Sequence, residues 1–455
     1  MDLRGKRVTV VGLGNSGLNA AILASGAGAV VRVTDGQDTP ATREAKKKLD
    51  GRDIKVEIGR HTREFTSGSD LIVISPGVED SSGPVRWALE AGIPIISEME
   101  LGSGFCRGRI IAITGTNGKT TVTSLIGKMF QDAGLDTVIC GNIGNSLSEA
   151  IPRIKKETWV VLEVSSFQLE KIENFKPAIA LILNITDDHM DRYTKFSDYF
   201  DQKLKIFRNQ DKDDTLILNY DAANLRDLAA KARSKVLFYS RLGKTNGAYL
   251  DNGVIVCEHD GKAKKICSIN DIRLKGLHNA ENVLACCLAA ATVGVDGDSI
   301  CSTIRGFNGL SHRFETVAIV DGVEYIDDSK GTTVDSTCRA LESCARPVVL
   351  IAGGKDKHSD YAVVREMVAK KVRHVILIGE ARYAIKKALE GAADIREAGD
   401  LTEAVEVASR LARPDHMVLL SPMCSSFDMF TSYKERGEVF KKAVMELKKG
   451  GGIKV

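Results

Sequence analysis

Residues 111–130 read IAITGTNGKTTVTSLIGKMF, and this stretch decides how the chain is parsed. A run of β-branched residues ends at Thr114, glycines stand at 115 and 118, and Lys119-Thr120 open an amphipathic helical pattern. Strand, glycine loop and helix in that order predict a phosphate-binding loop. Glycines let successive backbone N–H groups turn inward around phosphate oxygens, and the helix N-terminus adds positive potential there. Lys119 is then placed to reach the β- and γ-phosphates, with the Thr120 hydroxyl on a Mg²⁺ ion. Ile113 occupies the first-glycine position of the common G-x-x-x-x-G-K-[ST] form, so the loop is the shorter T-G-T-N-G-K-T.

Outward from this loop the same syntax recurs near the start of the chain. Residues 8–36 read VTVVGLGNSGLNAAILASGAGAVVRVTDG, a strand, a loop with Gly12, Gly14 and Gly17, a helix, and a second strand ending at Asp35. That is the G-x-G-x-x-G fingerprint of a dinucleotide fold, acidic residue included. Short apolar strands alternate with helical patterns almost throughout, which predicts an α/β protein with mostly parallel sheets. Three blocks emerge: 1–100, 101–308 and 309–455. The first carries AVVRVTD, IKVEIG, LIVISPG and IPIIS, and loosens into charge at SEMELGSGFCRGR (97–109), read as a linker. The third is built on RPVVLIAGG, HVILIGE and HMVLLSP.

Bulk properties narrow the class. A chain of 455 residues is too long for one core, and 43% apolar residues can bury several. Sixty-three basic against 60 acidic side chains give a net charge of +3, which calls for neither nucleic acid nor an anionic membrane. The ten cysteines are scattered without a C-x-x-C pair, so reduced core thiols are expected rather than zinc or disulfides. MDLRGKRVTVV enters a strand without a cleavable signal pattern, and a cytoplasmic location is expected.

Downstream of the phosphate loop, Glu163 ends the apolar strand TWVVLEV and His189 follows AIALILNITDDHM. The carboxyl ends of parallel strands form the ligand crevice of an open α/β sheet. Loop, glutamate and histidine in that order predict a shared Mg²⁺ site, although magnesium ordinarily takes oxygen ligands.

The set TGTNGKTT (114–121), LEVSSFQLE (162–170), NITDDHMDRY (184–193), GLHNAEN (276–282), LSHRFE (310–315), DDSKGTT (327–333) and SPMCSSFDMF..YKERG (421–437) resembles the Mur ligase family of bacterial cell-wall synthesis. Its motifs span nearly the whole chain in order. The resemblance implies a Rossmann-like N-terminal domain that binds a UDP-sugar, a central P-loop domain that binds ATP, and a Rossmann-like C-terminal domain that brings in an amino acid. It implies ATP-dependent joining of D-glutamate to UDP-N-acetylmuramoyl-L-alanine through an acyl phosphate and a tetrahedral intermediate. VGLGNSGLNAA, VISPGV and LSPMCSSFDMF suit that substrate pair, and the DNPR stretch of diaminopimelate- or lysine-adding relatives is missing.

Residue by residue, the resemblance places Gly115, Thr116, Asn117, Gly118, Lys119, Thr120 and Thr121 around the ATP phosphates. Asn279, Asn282, Arg313 and Asp328 join them at the nucleotide. Thr120, Glu163 and His189 serve magnesium, with a second ion held by Lys203 once that lysine is carbamylated; Lys205 lies close by. Lys330 stands beside the ATP as a catalytic residue with Lys119, His189 and Lys203. Gly14, Asn15, Ser16, Gly36, Gln37, Asn142 and His189 face the UDP substrate, with Gly36-Gln37 standing where some relatives carry Thr-Arg. Thr332, Lys357, Ser426, Phe427 and Tyr433 face D-glutamate, whose two carboxylates need cationic or N–H donors. Tyr433 falls where some relatives carry Phe. Cys424 is read as structural, because this chemistry needs no thiol.

Three rival readings stay open on the residues. One is a nicotinamide-dependent oxidoreductase using the first fingerprint, which leaves the central loop without a role. Another is a binding protein switched by ATP hydrolysis. The third is a different amide ligase of the same family, including a folylpolyglutamate synthase. A monomer is the expected state.

Overall fold

The structure, a computed structural model, describes residues 1–188, 192–193, 195–259, 261–274, 276–356 and 359–449. It contains three sheets of five, nine and six strands. One compact unit comprises Met1–Ile185, Ser197–Ile269 and Asn282–Thr303 and holds the first two sheets. A second unit comprises Thr186–Phe196, Asn270–Glu281 and Ile304–Val455 and holds the third.

The first sheet contains β1 (Arg7–Val11), β2 (Val30–Asp35), β3 (Ile54–Ile58), β4 (Leu71–Ile74) and β5 (Ile95–Ser97), ordered β3-β2-β1-β4-β5 and parallel throughout. β1 feeds helix α1 (Asn15–Gly26) through the glycine loop. Side chains alternate across a strand, so Val8 and Val10 pack into one core with Val31 and Val33, while Val11 packs with Ile72 and Ile74 on the other face. Burial on both faces is why LIVI in β4 is uniformly apolar.

The second sheet contains β6 (Arg109–Thr114), β7 (Thr137–Gly141), β8 (Trp159–Glu163), β9 (Ile179–Ile182), β10 (Thr215–Asn219), β11 (Lys235–Ser240), β12 (Gly247–Asp251), β13 (Val254–His259) and β14 (Lys262–Ser268). Its order is β14-β13-β12-β11-β10-β9-β6-β8-β7, parallel from β7 to β12 and antiparallel beyond. Asn252-Gly253 joins β12 to β13 with φ of 48° and 78°, the paired left-handed conformation that a tight hairpin needs. Helix α2 (Lys119–Asp132) follows β6, and helix α3 (Leu277–Val293) supplies the Ala-rich segment.

In the third sheet, β15 (Glu315–Val320), β16 (Val323–Asp327), β17 (Val348–Gly353), β18 (Val372–Ile378), β19 (Asp394–Glu397) and β20 (Met417–Leu420) take the order β15-β16-β20-β17-β18-β19. Only β15 runs antiparallel to its neighbour. Leu350 and Ala352 enter one core and Val349 and Ile351 the other. Among the described residues, no helix is long and apolar enough to cross a membrane.

One expectation is corrected. The stretch read as a linker contains a helix, Glu98–Phe105, capped by Ser97, whose hydroxyl accepts the Glu100 N–H at 3.2 Å. Its charges mislead because they point inward. Glu98 accepts the Ser148 N–H at 2.8 Å, and Glu100 accepts the N–H groups of Asn174 and Phe175 at 2.8 and 3.0 Å. Both carboxylates tie the first sheet's last helix to the second sheet's loops. Burial raises the Glu98 carboxyl above its ordinary value.

Candidate functional site

The glycine loops singled out in the sequence lie at the carboxyl ends of parallel strands, whereas Lys203, Asn279, Asn282 and Tyr433 lie on helices. In the first sheet the strand order reverses between β1 and β4, where an open α/β sheet forms its crevice. A cavity of about 760 Å³ opens there, lined by Gly14, Asn15, Ser16, Gly36 and Gln37 together with His61. Gly17 is needed for close packing, since a Cβ there would stand 1.8 Å from the Gly12 carbonyl oxygen. Asp35, the residue a nicotinamide enzyme would turn toward a ribose, instead laces two loops together. Its carboxylate accepts the Leu13 N–H at 2.6 Å and the Gln37 N–H at 2.8 Å. From the short helix Leu147–Ala150 beyond β7, Glu149 accepts hydrogen bonds from Nδ2 of Asn15 at 3.1 Å and of Asn19 at 3.2 Å.

Around the central loop, Lys119 Nζ donates to the carbonyl oxygens of Gly115 and Thr116, both at 2.8 Å. Lys203, buried on the helix Phe196–Leu204, donates to the same Gly115 oxygen at 2.9 Å. Two amines therefore converge on one carbonyl. Lys203 also lies 4.7 Å from the Tyr199 ring centroid, and the Tyr199 hydroxyl hydrogen-bonds Thr116 Oγ1 at 3.0 Å. Asn184 braces the loop from the end of β9. Its carbonyl accepts the Thr116 N–H at 2.9 Å, while its side chain accepts the Asn117 N–H at 2.8 Å and donates to the Asn117 carbonyl at 3.1 Å.

Gly118 adopts φ 84°, and a Cβ there would meet Asn282 Oδ1 at 2.6 Å, so only glycine fits between loop and α3. Thr120 opens α2 half-buried and Thr121 is buried behind it. Asn279 and Asn282 occupy the first turns of α3, both buried.

Glu163 ends β8 with its carboxylate divided between two environments. Oε1 accepts Asn142 Nδ2 at 2.8 Å, whereas Oε2 is buried and has no hydrogen-bond partner among the described residues. A buried carboxylate oxygen without a donor is costly, and it is the donor type a hard divalent cation takes. Magnesium therefore fits this position. His189 and Lys357 lie outside the described residues.

In the second unit, His312 Nδ1 pairs with Asp327 Oδ2 at 2.7 Å and the His312 carbonyl accepts the Lys330 N–H at 3.0 Å. Lys330 Nζ lies 4.0 Å from the Tyr433 ring centroid. The Thr332 N–H turns back to the Lys330 carbonyl at 2.8 Å. Arg436, near the start of helix α4 (Tyr433–Lys449), is fully buried and joins two loops. It donates to Ser329 Oγ at 3.0 Å and Ser329 O at 2.8 Å, and to the Cys424 carbonyl at 3.2 Å. Asp328, Lys330 and Thr332 are thereby tied to the segment bearing Ser426, which is buried, and Phe427, which is exposed. Cys424 is buried against the Tyr361 hydroxyl at 3.2 Å, as expected of a structural thiol.

Asp328 yields a pH prediction. Burial pushes its carboxyl up to about 7, against the Ser421 hydroxyl and the Arg313 charge, which favour the ionised form. The folded state thus binds the proton more tightly than the unfolded chain. This contribution to stability is complete below about pH 4 and is lost as the pH rises through about 7. Asp328→Asn should remove that loss, so the variant should gain on wild type between pH 5 and pH 8 by on the order of 1–3 kcal/mol. Urea midpoints at the two pH values check it; parallel shifts in both proteins would contradict it.

Residues 113–290 match the family described as Mur ligase middle domain, residues 312–424 the Mur ligase glutamate ligase domain, and residues 6–97 the Mur ligase MurD-like N-terminal domain. The chain belongs to the Mur ligase family. This Mur ligase is 43% identical over 451 residues to the UDP-N-acetylmuramoylalanine--D-glutamate ligase of a Geobacter species, covering 99% of this chain and 100% of the relative. It is 41% identical to the enzyme of the same name from Pelotomaculum thermopropionicum, covering 99% of each. Among solved structures, it shares its fold with a pseudomurein peptide ligase type C from Methanothermus fervidus at TM-score 0.61 and 17% identity, covering 98% of this chain and 100% of that one. The UDP-N-acetylmuramate-alanine ligase of Thermotoga maritima also matches at 0.61 and 17%, covering 97% and 100%.

Sequence reading missed Asn184, Glu149, His61 and Arg436 in this Mur ligase. Each acts by reaching another element, and only Asn184 and Arg436 stand inside a motif that could have drawn notice.

Proposed function

We propose that this chain is an ATP-dependent ligase that joins D-glutamate to UDP-N-acetylmuramoyl-L-alanine in peptidoglycan precursor synthesis. The observation that carries this reading is the presence, in one compact unit, of two glycine-rich strand-to-helix loops with different surroundings. The first opens a wide cavity for a nucleotide-linked sugar. The second carries Lys119 for ATP, with the cation-ready Glu163 at the end of the neighbouring strand β8.

Joining a carboxylate to an amine is uphill, and a carboxylate is a poor electrophile. In the proposed sequence, the L-alanyl carboxylate attacks the γ-phosphorus, the bond to ADP breaks, and an acyl phosphate forms. The D-glutamate amine then attacks the acyl carbon, and the tetrahedral intermediate expels phosphate and leaves the amide. Such transfers depend on positioning and charge neutralisation. Lys119 neutralises the phosphates, and the N–H groups of 115–121 surround them. Asn279, Asn282, Arg313 and Asp328 hold the nucleotide, with Lys330 beside it. Gly14, Asn15, Ser16, Gly36, Gln37, Asn142 and His189 hold the UDP substrate. Thr332, Lys357, Ser426, Phe427 and Tyr433 hold D-glutamate.

Thr120, Glu163 and His189 are the proposed magnesium ligands, and the ion supplies charge neutralisation at the transferring phosphoryl group. A carbamate on Lys203, formed from the neutral amine and CO₂ with loss of a proton, would serve a second magnesium. It would also relieve the crowding of two amines at the Gly115 oxygen. The domains are proposed as 1–100 for the UDP-sugar, 101–308 for ATP and 309–455 for the amino acid, in a cytoplasmic monomer.

Phosphate release with UDP-N-acetylmuramoyl-L-alanine, ATP and a panel of D- and L-amino acids tests the assignment. Turnover should require all three substrates and prefer D-glutamate. Preference for another amino acid would move the chain elsewhere in the family, and ATP turnover indifferent to both co-substrates would favour a nucleotide switch.

A further inference from the structure

Resting on the reading that the first cavity holds a UDP-sugar, we propose that His61 reads the uracil ring, its Nε2 accepting a hydrogen bond from the ring's imide N–H. The residue lies beyond β3, outside every motif that marks the site, yet it lines the cavity.

A chain of hydrogen bonds sets its tautomer. His61 Nδ1 is 2.8 Å from Thr34 Oγ1, and that hydroxyl lies 3.1 Å from Glu57 Oε1 and 3.4 Å from the Arg60 carbonyl oxygen. Glu57 also accepts the Thr62 N–H at 2.9 Å and the Thr62 hydroxyl at 2.8 Å. Burial works against its charge, but these donors outweigh it and hold the carboxyl below its ordinary value. An ionised carboxylate only accepts, and a hydroxyl has one proton to give. Charge-assisted bonds are the stronger ones, so Thr34 gives its proton to Glu57. Thr34 Oγ1 must then accept from His61 Nδ1–H, which leaves the lone pair on Nε2.

The imidazole edge that carries the lone pair lines the cavity beside a residue without a side chain. His61 Nε2 is 3.0 Å from where a Cβ on residue 36 would stand, so the bare Gly36 keeps space beside the imidazole edge. Position along the sheet selects the base. The diphosphate belongs at the helix N-terminus after β1, and β2 and β3 lie next in order. The His61 ring reaches back from beyond β3 to Thr34 on β2, and its Nε2 stands beside Gly36 just past β2. The reading edge therefore lies one strand to the side of the phosphate loop, on the side where the base follows the diphosphate and ribose. Uracil offers an N–H at its ring N3, whereas cytosine has a lone pair there. Opposing lone pairs with no proton between them leave both acceptors unsatisfied.

Calorimetric titration of the full chain with UDP, CDP, N3-methyluridine diphosphate and 2′-deoxy-UDP tests the proposal. Wild type should bind UDP at least about tenfold tighter than CDP and the N3-methyl analogue. In His61→Phe that preference should shrink to about twofold, while Thr34→Val, which frees the tautomer, should fall between. The ligand series on wild type is independent of whether a variant folds. Equal binding of UDP and its N3-methyl analogue by wild type would overturn the proposal and leave the substrate reading standing. A preference fully retained in His61→Phe would do the same, as would a loss on 2′-deoxy-UDP that His61→Phe abolishes, which would move the contact to the ribose. No binding of any uridine nucleotide would instead place the failure with the substrate reading.

Discussion

Lys119→Ala is expected to lower turnover by on the order of a thousandfold while the protein stays folded. Two hydrogen bonds to the carbonyls of Gly115 and Thr116 hold the amine over the loop. Its charge is therefore aimed at the space the loop encloses before any phosphate arrives. A prearranged cation needs no reorganisation when negative charge develops during phosphoryl transfer. The side chain is only half-buried and belongs to no apolar core, so its truncation should leave the unfolding temperature within a few degrees of wild type. Phosphate release and thermal unfolding measured on the same preparation separate the two effects. Turnover retained in a folded Lys119→Ala protein would remove the phosphate-loop argument.

Lys203→Ala should be nearly as damaging, with a loss of at least about a hundredfold, but its loss should be partly reversible. The amine is buried, bonded to the Gly115 oxygen and set near the Tyr199 ring, and two functions are compatible with that placement. As a carbamate, Lys203 supplies a carboxylate-like group for metal, and added acetate or propionate should restore part of the activity by entering the space left. As a plain amine, it anchors the loop, and methylammonium rather than acetate should restore activity. Rescue by the amine with none by the carboxylates would reject the carbamate.

How much of this was legible in the sequence follows from how far each feature reaches. Gly118-Lys119-Thr120 and the Gly12–Gly17 fingerprint are local: strand, turn and helix start lie within ten residues, and backbone geometry dictates the residue types. Apolar runs such as LIVI and VVLIAG announced buried parallel strands for the same reason. The helix Glu98–Phe105 was hidden because its acidic residues bond to N–H groups some 50 and 75 residues away, and composition alone assigns such charges to solvent. His61 was invisible on similar grounds. Its role depends on Thr34 and Glu57 on two neighbouring strands and on the missing side chain at Gly36. Arg436 stood inside a recognised motif, but only the fold shows it spanning Ser329 and Cys424.

The inward-facing carboxylates of Glu98 and Glu100, with the Glu149 tie to Asn15 and the Lys171–Asp80 ion pair at 2.9 Å, join the first two sheets by four separate struts. These ties hold the loop at Gly14 and the loop at Lys119 within one compact unit. On the proposed reading, that makes this unit a gauge block. A UDP-sugar anchored at one end presents its alanyl carboxyl to the other, and a precursor longer by a single amino acid would carry its carboxyl past the phosphate. The order in which a peptide is assembled could then be enforced by length alone.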